Sequence, residues 1–225
     1  MIEVGLGNAY ISMSRVRRFL YFKIAKFIGI NFFDTAQLYG NAELILGSVL
    51  KSDELIVTKI GLSKSVGKNR TSQERWNHYF PPKNIESELN NSLSRLNRKK
   101  CYGLLLHAIS GDFDFTSHIK VLNKLKKLGK IDNIGFSIDV NDYLMHDSSW
   151  ADLIEVHVSF LDTIKVYDHQ VLIVNGVFRE SNEKKFLNFA RSHPDTRIIL
   201  LLGTHRITRL VWQGFKFKIL ARVMA

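Results

Sequence analysis

The chain has 225 residues, 45% of them hydrophobic and 24% charged, which is enough for one substantial core in a single domain spanning 1–225. The single cysteine, Cys101, excludes an internal disulfide and a cysteine-rich metal site, so we expect no metal and a reducing, cytoplasmic location. No apolar run reaches the ~20 residues of a membrane span, and we expect no membrane partner. The net charge of +11 would suit a polyanion. Because the basic residues are spread along the chain, we interpret them as a solvated surface and expect no nucleic-acid partner.

The first segment with helical character is "RVRRFLYFKIAKFI", residues 15–28. At helical spacing Val16, Leu20, Ile24 and Phe27 fall on one face, and further aromatic residues widen the apolar surface. We interpret this segment as a buried helix. A helix lying on a membrane surface is the alternative.

Short apolar runs recur along the whole chain, and most are apolar on both faces without strict alternation. Such runs are typical of strands in a buried parallel sheet. The predicted strands are residues 4–7, 30–34, 55–59, 102–107, 133–138, 152–158, 171–175 and 197–202.

Helical patterns lie between these strands, at residues 15–28, 41–51, 83–97, 118–129 and 181–192. The alternation of strand and helix predicts parallel βαβ units, and eight strands of this kind predict a (β/α)8 TIM barrel. The polar stretch 62–82 is the longest irregular segment. Within it, Trp76 and Phe80 are candidate apolar walls of a substrate pocket.

Three predicted strands end at an ionisable side chain. Asp34 follows "NFF", Lys59 follows "ELIVT" and His107 follows "LLL", and Tyr39 lies shortly after the first of these. The carboxyl ends of barrel strands carry the active site in enzymes of this architecture. A lysine ammonium lowers the pKa of a nearby tyrosine, an aspartate holds the lysine in place, and a histidine hydrogen-bonds a carbonyl group. Together they can protonate a carbonyl oxygen while a nicotinamide or flavin supplies hydride.

Several stretches of the sequence resemble the aldo-keto reductase superfamily. They are "GINFFDTAQLYGNAELILGSVL", "ELIVTKIG", "SLSRLNRKKCYGLLLHAI" and "LKKLGKIDNIGFS". The similarity is greatest to bacterial members that carry "SHPD" before the last strand, as in "ARSHPDTRIILLLGT", and it runs from about Val4 to about Phe217. The resemblance implies an eight-stranded barrel that binds NADPH across its mouth and reduces an aldehyde or ketone.

The resemblance also implies a role for each matching position. It makes Tyr39 the general acid and Lys59 the group that lowers the pKa of Tyr39. Asp34 becomes the partner of the lysine, and His107 becomes the group that orients the carbonyl.

Four further positions are implied to contact the cofactor. Ser137 and the residue at position 155, here Glu155, match positions beside the nicotinamide carboxamide. Thr204 and Arg209 match positions beside the adenosine phosphate, where an arginine suits a 2′-phosphate.

The sequence departs from the family pattern in places. Ile138 stands where asparagine is usual, Glu155 where glutamine is usual, and Gly203 where many members carry a lysine. A carboxylate at position 155 can accept a hydrogen bond from a carboxamide but cannot donate one. The region between predicted strands six and eight is short, and the C-terminal segment stops early. We therefore expect a barrel compressed around strands six to eight, with exposed apolar surface and a weakened seventh segment.

Two main hypotheses follow. The first is NADPH-dependent reduction of a small-molecule carbonyl substrate, supported by the set Asp34, Tyr39, Lys59 and His107. The alternative is a catalytically weak or inactive relative that binds a cofactor or a partner, supported by the compressed region 162–195 and by the changes at Ile138 and Glu155. Binding to nucleic acid or to an anionic surface is a third hypothesis and depends on the net charge alone.

Overall fold

Eight parallel strands close into a barrel in a computed structural model of the chain. The structure describes residues 1–7, 14–51, 53–61, 80–109, 114–138, 147–178, 182–204 and 206–224. Each strand pairs with the next in sequence order, and the last pairs with the first. The strands are β1 Ile2–Gly7, β2 Phe32–Asp34, β3 Leu55–Ile60, β4 Cys101–Ile109, β5 Ile131–Ile138, β6 Leu153–His157, β7 Val171–Asn175 and β8 Arg197–Leu202. The predicted TIM barrel and all eight predicted strands are confirmed.

Helices pack around this barrel. Within the described ranges they are α1 Arg15–Phe27, α2 Ala42–Val49, α3 Ile85–Arg95, α4 Thr116–Lys127, α5 Asn182–Ser192 and α6 Ile207–Met224. The first five match the predicted helices. Helix α6 was not predicted from the sequence, although the (β/α)8 architecture favours a helix after β8. Among the described residues, no helix is both long and apolar enough to cross a bilayer.

The barrel interior is a stack of side-chain layers. Successive residues of a strand point to opposite faces, so every second residue faces the interior. One apolar interior cluster consists of Phe32, Val57, Leu105, Leu153, Ile173, Ile199 and Leu201. The residues two positions further along five of these strands are Asp34, Lys59, His107, Glu155 and Asn175. The interior thus changes from apolar to polar in one layer, at the carboxyl end of the barrel.

The expectation that α1 is a buried helix holds for only one side of the helix. Val16 and Phe27 are 79% and 90% exposed, and Leu20 is also exposed. The helix buries Tyr21, Phe22 and Ala25 instead, among residues of β1, β2 and α2. The segment is apolar around most of its circumference, so periodicity alone could not select the buried side.

The connection between β6 and β7 contains no α-helix, as the short segment predicts. Residues 158–170, all described, form a 3-10 turn at Val158–Phe160 and then irregular chain. The buried Gln170 closes this connection, because its amide donates to the carbonyls of Ser148 at 2.6 Å and Ala151 at 3.0 Å. β7 pairs with β6 over five residues and with β8 over four. The expected weakening of the seventh segment is therefore not seen in its strand pairing.

Large apolar side chains are exposed, as expected, but away from the compressed region. On the described surface they concentrate on α1 and α6, at Val16, Phe19, Leu20, Phe27, Trp212 and Phe215.

Candidate active site

Lys59 lies at the centre of the polar layer and is 1% exposed. Its ammonium donates to Asp34 Oδ1 at 2.5 Å and to the Thr35 carbonyl at 3.2 Å. Glu155 Oε2 lies 3.0 Å from the same nitrogen, on the other side of the barrel's interior. The side chains of both acidic residues are less than a tenth exposed. One buried ammonium therefore has two carboxyl partners.

Tyr39 reaches this layer from a short 3-10 turn, Gln37–Tyr39, that follows β2. Its ring centroid lies 5.2 Å from the Lys59 nitrogen. The ring meets that of His107 edge to face, with centroids 5.7 Å apart and planes at 88°. The phenol, the ammonium and the imidazole thus surround a common space at the mouth of the barrel.

The turn that carries Tyr39 is held from outside the barrel. The next residue, Gly40, has a positive φ of 63°, which glycine adopts without strain. Its carbonyl accepts a hydrogen bond from Arg95 of α3. Arg95 Nε also lies 3.0 Å from Oε2 of the fully buried Glu43, whose Oε1 accepts from Thr58 at 2.6 Å. This network fixes the backbone that places the phenol.

The buried charges shift the pKa values of the site. Burial and the nearby Glu155 carboxylate raise the pKa of Asp34 well above its ordinary value, against the opposing effect of Lys59. Burial alone would lower the pKa of Lys59, but Asp34 and Glu155 outweigh burial and raise it. Burial raises the pKa of Tyr39 to about 12, and Lys59 only partly offsets this effect. The lysine therefore does not bring the pKa of Tyr39 below its ordinary value, contrary to the expectation from the sequence.

His107 precedes an irregularity in β4. The register with β5 shifts between Leu106 and Ile109, and Ala108 has a φ of 53°, which is rare for a residue other than glycine. The Ala108 N–H turns toward β5 and donates to the Ser137 hydroxyl at 2.9 Å. Since a hydroxyl that accepts one hydrogen bond can still donate one, Ser137 keeps its proton for another acceptor. The bulge also aims His107 at Tyr39.

Asn175 belongs to this layer but was missed by the sequence analysis. Its amide donates to Glu155 Oε1 at 3.4 Å, so Glu155 contacts Lys59 through one oxygen and Asn175 through the other. The sequence could have indicated Asn175 through its position at the end of a predicted strand, two residues after the interior-facing Ile173.

Thr204 and Arg209 lie apart from the charged cluster, after β8. The Thr204 carbonyl accepts a hydrogen bond from the buried Tyr21 hydroxyl, and its Oγ1 accepts from the Arg206 N–H at 3.2 Å. Arg206 and Arg209 are both exposed, just before and within the first turn of α6. Two arginines at a helix N-terminus form a suitable arrangement for an anion.

The structure describes only one of the two candidate pocket walls, Phe80 and Trp76. Phe80 is buried in the apolar cluster outside the barrel, where its carbonyl lies 2.9 Å from His118 Nε2. Trp76 and the rest of 62–79 lie outside the described residues. Among the described residues, no group of three or more His, Cys, Asp or Glu side chains is arranged to hold a metal ion.

A profile of the aldo/keto reductase family matches residues 3–199, most of the chain. The chain belongs to the aldo/keto reductase family. A search of curated proteins finds no significant match.

Solved structures of aldo-keto reductases share the fold. A protein assigned as an aldo-keto reductase from Pseudomonas aeruginosa is 19% identical, with a TM-score of 0.71 over 94% of this chain and 90% of that one. The aldo-keto reductase AKR11C1 of Bacillus halodurans, in its holo form, is 19% identical, with a TM-score of 0.69 over 96% and 86%. An aldo/keto reductase of Klebsiella pneumoniae, in complex with NADP and acetate, is 18% identical, with a TM-score of 0.62 over 98% and 90%.

The polar layer of this aldo/keto reductase has a donor set that suits a nicotinamide carboxamide. The Ser137 hydroxyl can donate to a carbonyl oxygen, and the Glu155 carboxylate can accept from an amide N–H. The two residues lie side by side in the β5–β6 register. The arginines before and within α6 provide positive charge at a second location, where a phosphate would fit.

Proposed function

We propose that this chain is an NADPH-dependent reductase that converts an aldehyde or ketone to an alcohol. The observation that carries the proposal is the convergence of Tyr39, Lys59, Asp34 and His107 at the carboxyl end of the barrel, three of them in one interior layer. Family membership supports oxidoreductase chemistry in general.

The proposed reaction needs a proton at the carbonyl oxygen. Tyr39 donates its phenolic proton to that oxygen, and Lys59 stabilises the phenolate that remains. His107, edge to face with Tyr39, donates a hydrogen bond to the same oxygen and so orients the carbonyl. Asp34 holds the ammonium 2.5 Å away and keeps it charged. The phenolate then recovers a proton from solvent, which closes the proton balance.

Cofactor binding is proposed for residues on two sides of the barrel mouth. When bound, the nicotinamide supplies the hydride that adds to the carbonyl carbon. Ser137 and Glu155 would hold its carboxamide, and Thr204 and Arg209 would hold the adenosine end. The arginine favours a 2′-phosphate and hence NADPH.

A fluorescence titration with NADPH followed by addition of a generic aldehyde tests the proposal, with Tyr39→Phe as the matched variant. We expect saturable binding in both proteins, and turnover in the wild type that falls at least about a hundredfold in the variant. Turnover unaffected by Tyr39→Phe would contradict the role of Tyr39.

The inactive alternative is favoured by one observation. The pKa of Tyr39 is raised to about 12 by burial, and two carboxylates compete for the lysine that should lower it. The same experiment separates the two functions, because a protein that only binds cofactor would bind NADPH without turnover.

A further inference from the structure

The site holds one more buried acidic group than the proposed chemistry requires. Lys59 contributes a single positive charge, while Asp34 at 2.5 Å and Glu155 at 3.0 Å contribute two carboxyl groups. If both were ionised, the buried cluster would carry a net charge of −1. Burying an uncompensated charge is costly, so the two carboxyl groups compete for the single ammonium.

The two oxygens of Glu155 are held by different partners. Oε2 lies beside the ammonium, and Oε1 accepts from the Asn175 amide at 3.4 Å. The β5–β6 register places Ser137 next to Glu155, on the side away from β7. The buried Glu155 carboxylate is therefore held beside Lys59 by its surroundings.

We propose that Glu155 is a second counter-ion of Lys59, and that it restrains proton transfer at Tyr39 by withdrawing the ammonium's charge from the phenol. This inference deepens the proposed function and rests on it. Glu155 is a positioning residue in this role, since it acts on the tyrosine through the lysine.

The charged and titratable groups around Tyr39 come from four strands. β2 provides Asp34, β3 provides Lys59 and β6 provides Glu155. The titratable His107 lies on β4, whereas β5 and β7 present the non-ionisable Ser137 and Asn175. The charges of Asp34 and Glu155 both raise the pKa of Tyr39, while Lys59 lowers it. Removing the charge at position 155 leaves one carboxylate for one ammonium, so the pKa of Tyr39 should fall.

Glu155→Gln should affect reduction and oxidation differently, because the two reactions need different protonation states of the Tyr39 phenol. Carbonyl reduction needs the protonated phenol, and alcohol oxidation needs the phenolate. A high pKa of Tyr39 keeps the phenol protonated at neutral pH, which confines oxidation to alkaline pH. In Glu155→Gln we expect the alkaline limb of reduction and the onset of oxidation to move to lower pH by about one unit or more.

The experiment compares wild type, Glu155→Gln and a matched control in two assays. The control is Glu86→Gln, because Glu86 also contacts a lysine, Lys130 at 2.9 Å, but lies on the surface. The first assay follows tyrosine Cζ chemical shifts against pH in ¹³C-labelled protein without cofactor. The Tyr39 signal is assigned by its loss in Tyr39→Phe. The second assay measures the pH profiles of reduction and oxidation with NADPH and NADP⁺.

The proposal predicts that the Tyr39 titration moves to lower pH in Glu155→Gln and stays in place in Glu86→Gln. An unchanged Tyr39 titration would overturn it, even if Glu155→Gln lowers stability or cofactor affinity, because a merely structural role has those effects. A shifted titration without turnover in any protein would support the role of Glu155 and refute the proposed reductase function. The role of Glu155 and the proposed reductase function can therefore be refuted independently of each other.

Discussion

Lys59→Met removes the ammonium from between its two acidic partners and keeps most of the side-chain volume. In the wild type, Asp34 Oδ1 and Glu155 Oε2 lie 2.5 and 3.0 Å from the nitrogen, and all three side chains are buried. Removing one partner of a buried ion pair typically costs about 3–5 kcal/mol, because the remaining charge stays in a poorly solvated position. We expect a loss of this size in the free energy of unfolding near pH 8.

The loss should shrink as the pH falls. Burial and Glu155 already raise the pKa of Asp34 in the folded protein, so folding favours its protonated form. Stability of this kind is fully present below the unfolded value of 3.8 and is lost as the pH rises through the folded value. Without the lysine, the folded variant should hold about one proton more than the folded wild type. Its relative stability should therefore improve by up to about 1.4 kcal/mol for each pH unit of acidification over that range.

Urea denaturation of wild type and Lys59→Met at about pH 5.5 and about pH 8 measures both quantities. Lys100→Met is the matched control, because Lys100 lies 3.0 Å from Asp132 but both side chains are largely exposed. It should cost less than about 1 kcal/mol at either pH. A destabilisation by Lys59→Met that is equal at the two pH values, or no larger than that of the control, would refute the account of a buried charge cluster.

Three further changes test the supporting structure. Arg95→Met leaves the buried Glu43 without its cation and should cost about 3 kcal/mol in urea denaturation. It also removes the hydrogen bond to the Gly40 carbonyl, so turnover should fall. Unchanged turnover would refute the role of Arg95 in positioning Tyr39. Gly135→Ala should cost about 3 kcal/mol or more in thermal unfolding, because the added Cβ would lie 1.8 Å from a backbone carbonyl oxygen of β6. Gly203→Ala is the control and should be near neutral in the same assay, because its Cβ would meet nothing within 4 Å. Burial lowers the pKa of His118 from 6.5, so its contribution to stability is present above that pH and lost as the pH falls below it. His118→Gln should remove this acid sensitivity from the urea midpoint, and a variant that keeps it would contradict the assignment.

Much of the barrel could be predicted from the sequence because its strands are buried on both faces. Continuous apolar runs such as "IILLL" in β8 indicate such strands without any need for tertiary information. The placement of Asp34, Lys59 and His107 at strand ends also predicted their common location, since the carboxyl ends of parallel strands meet at one side of a barrel.

Other features depend on contacts that a sequence does not show. The apolar residues of α1 surround the helix, and packing rather than periodicity decided that Tyr21 and Phe22 are buried while Phe27 is exposed. The bulge at Ala108 is a backbone irregularity with no glycine to signal it. Family analogy placed position 155 beside the cofactor, but the contact of Glu155 with Lys59 appears only when β3 and β6 face each other across the interior.

The most direct test of the central claim is hydride transfer from NADPH that carries deuterium at both positions of nicotinamide C4. The protein would be incubated with this cofactor and a generic aldehyde, and the alcohol product analysed by mass spectrometry, with Tyr39→Phe in parallel. We predict one deuterium in each alcohol molecule formed by the wild type and almost no alcohol from the variant. Alcohol without deuterium, or equal yields from the two proteins, would contradict the account.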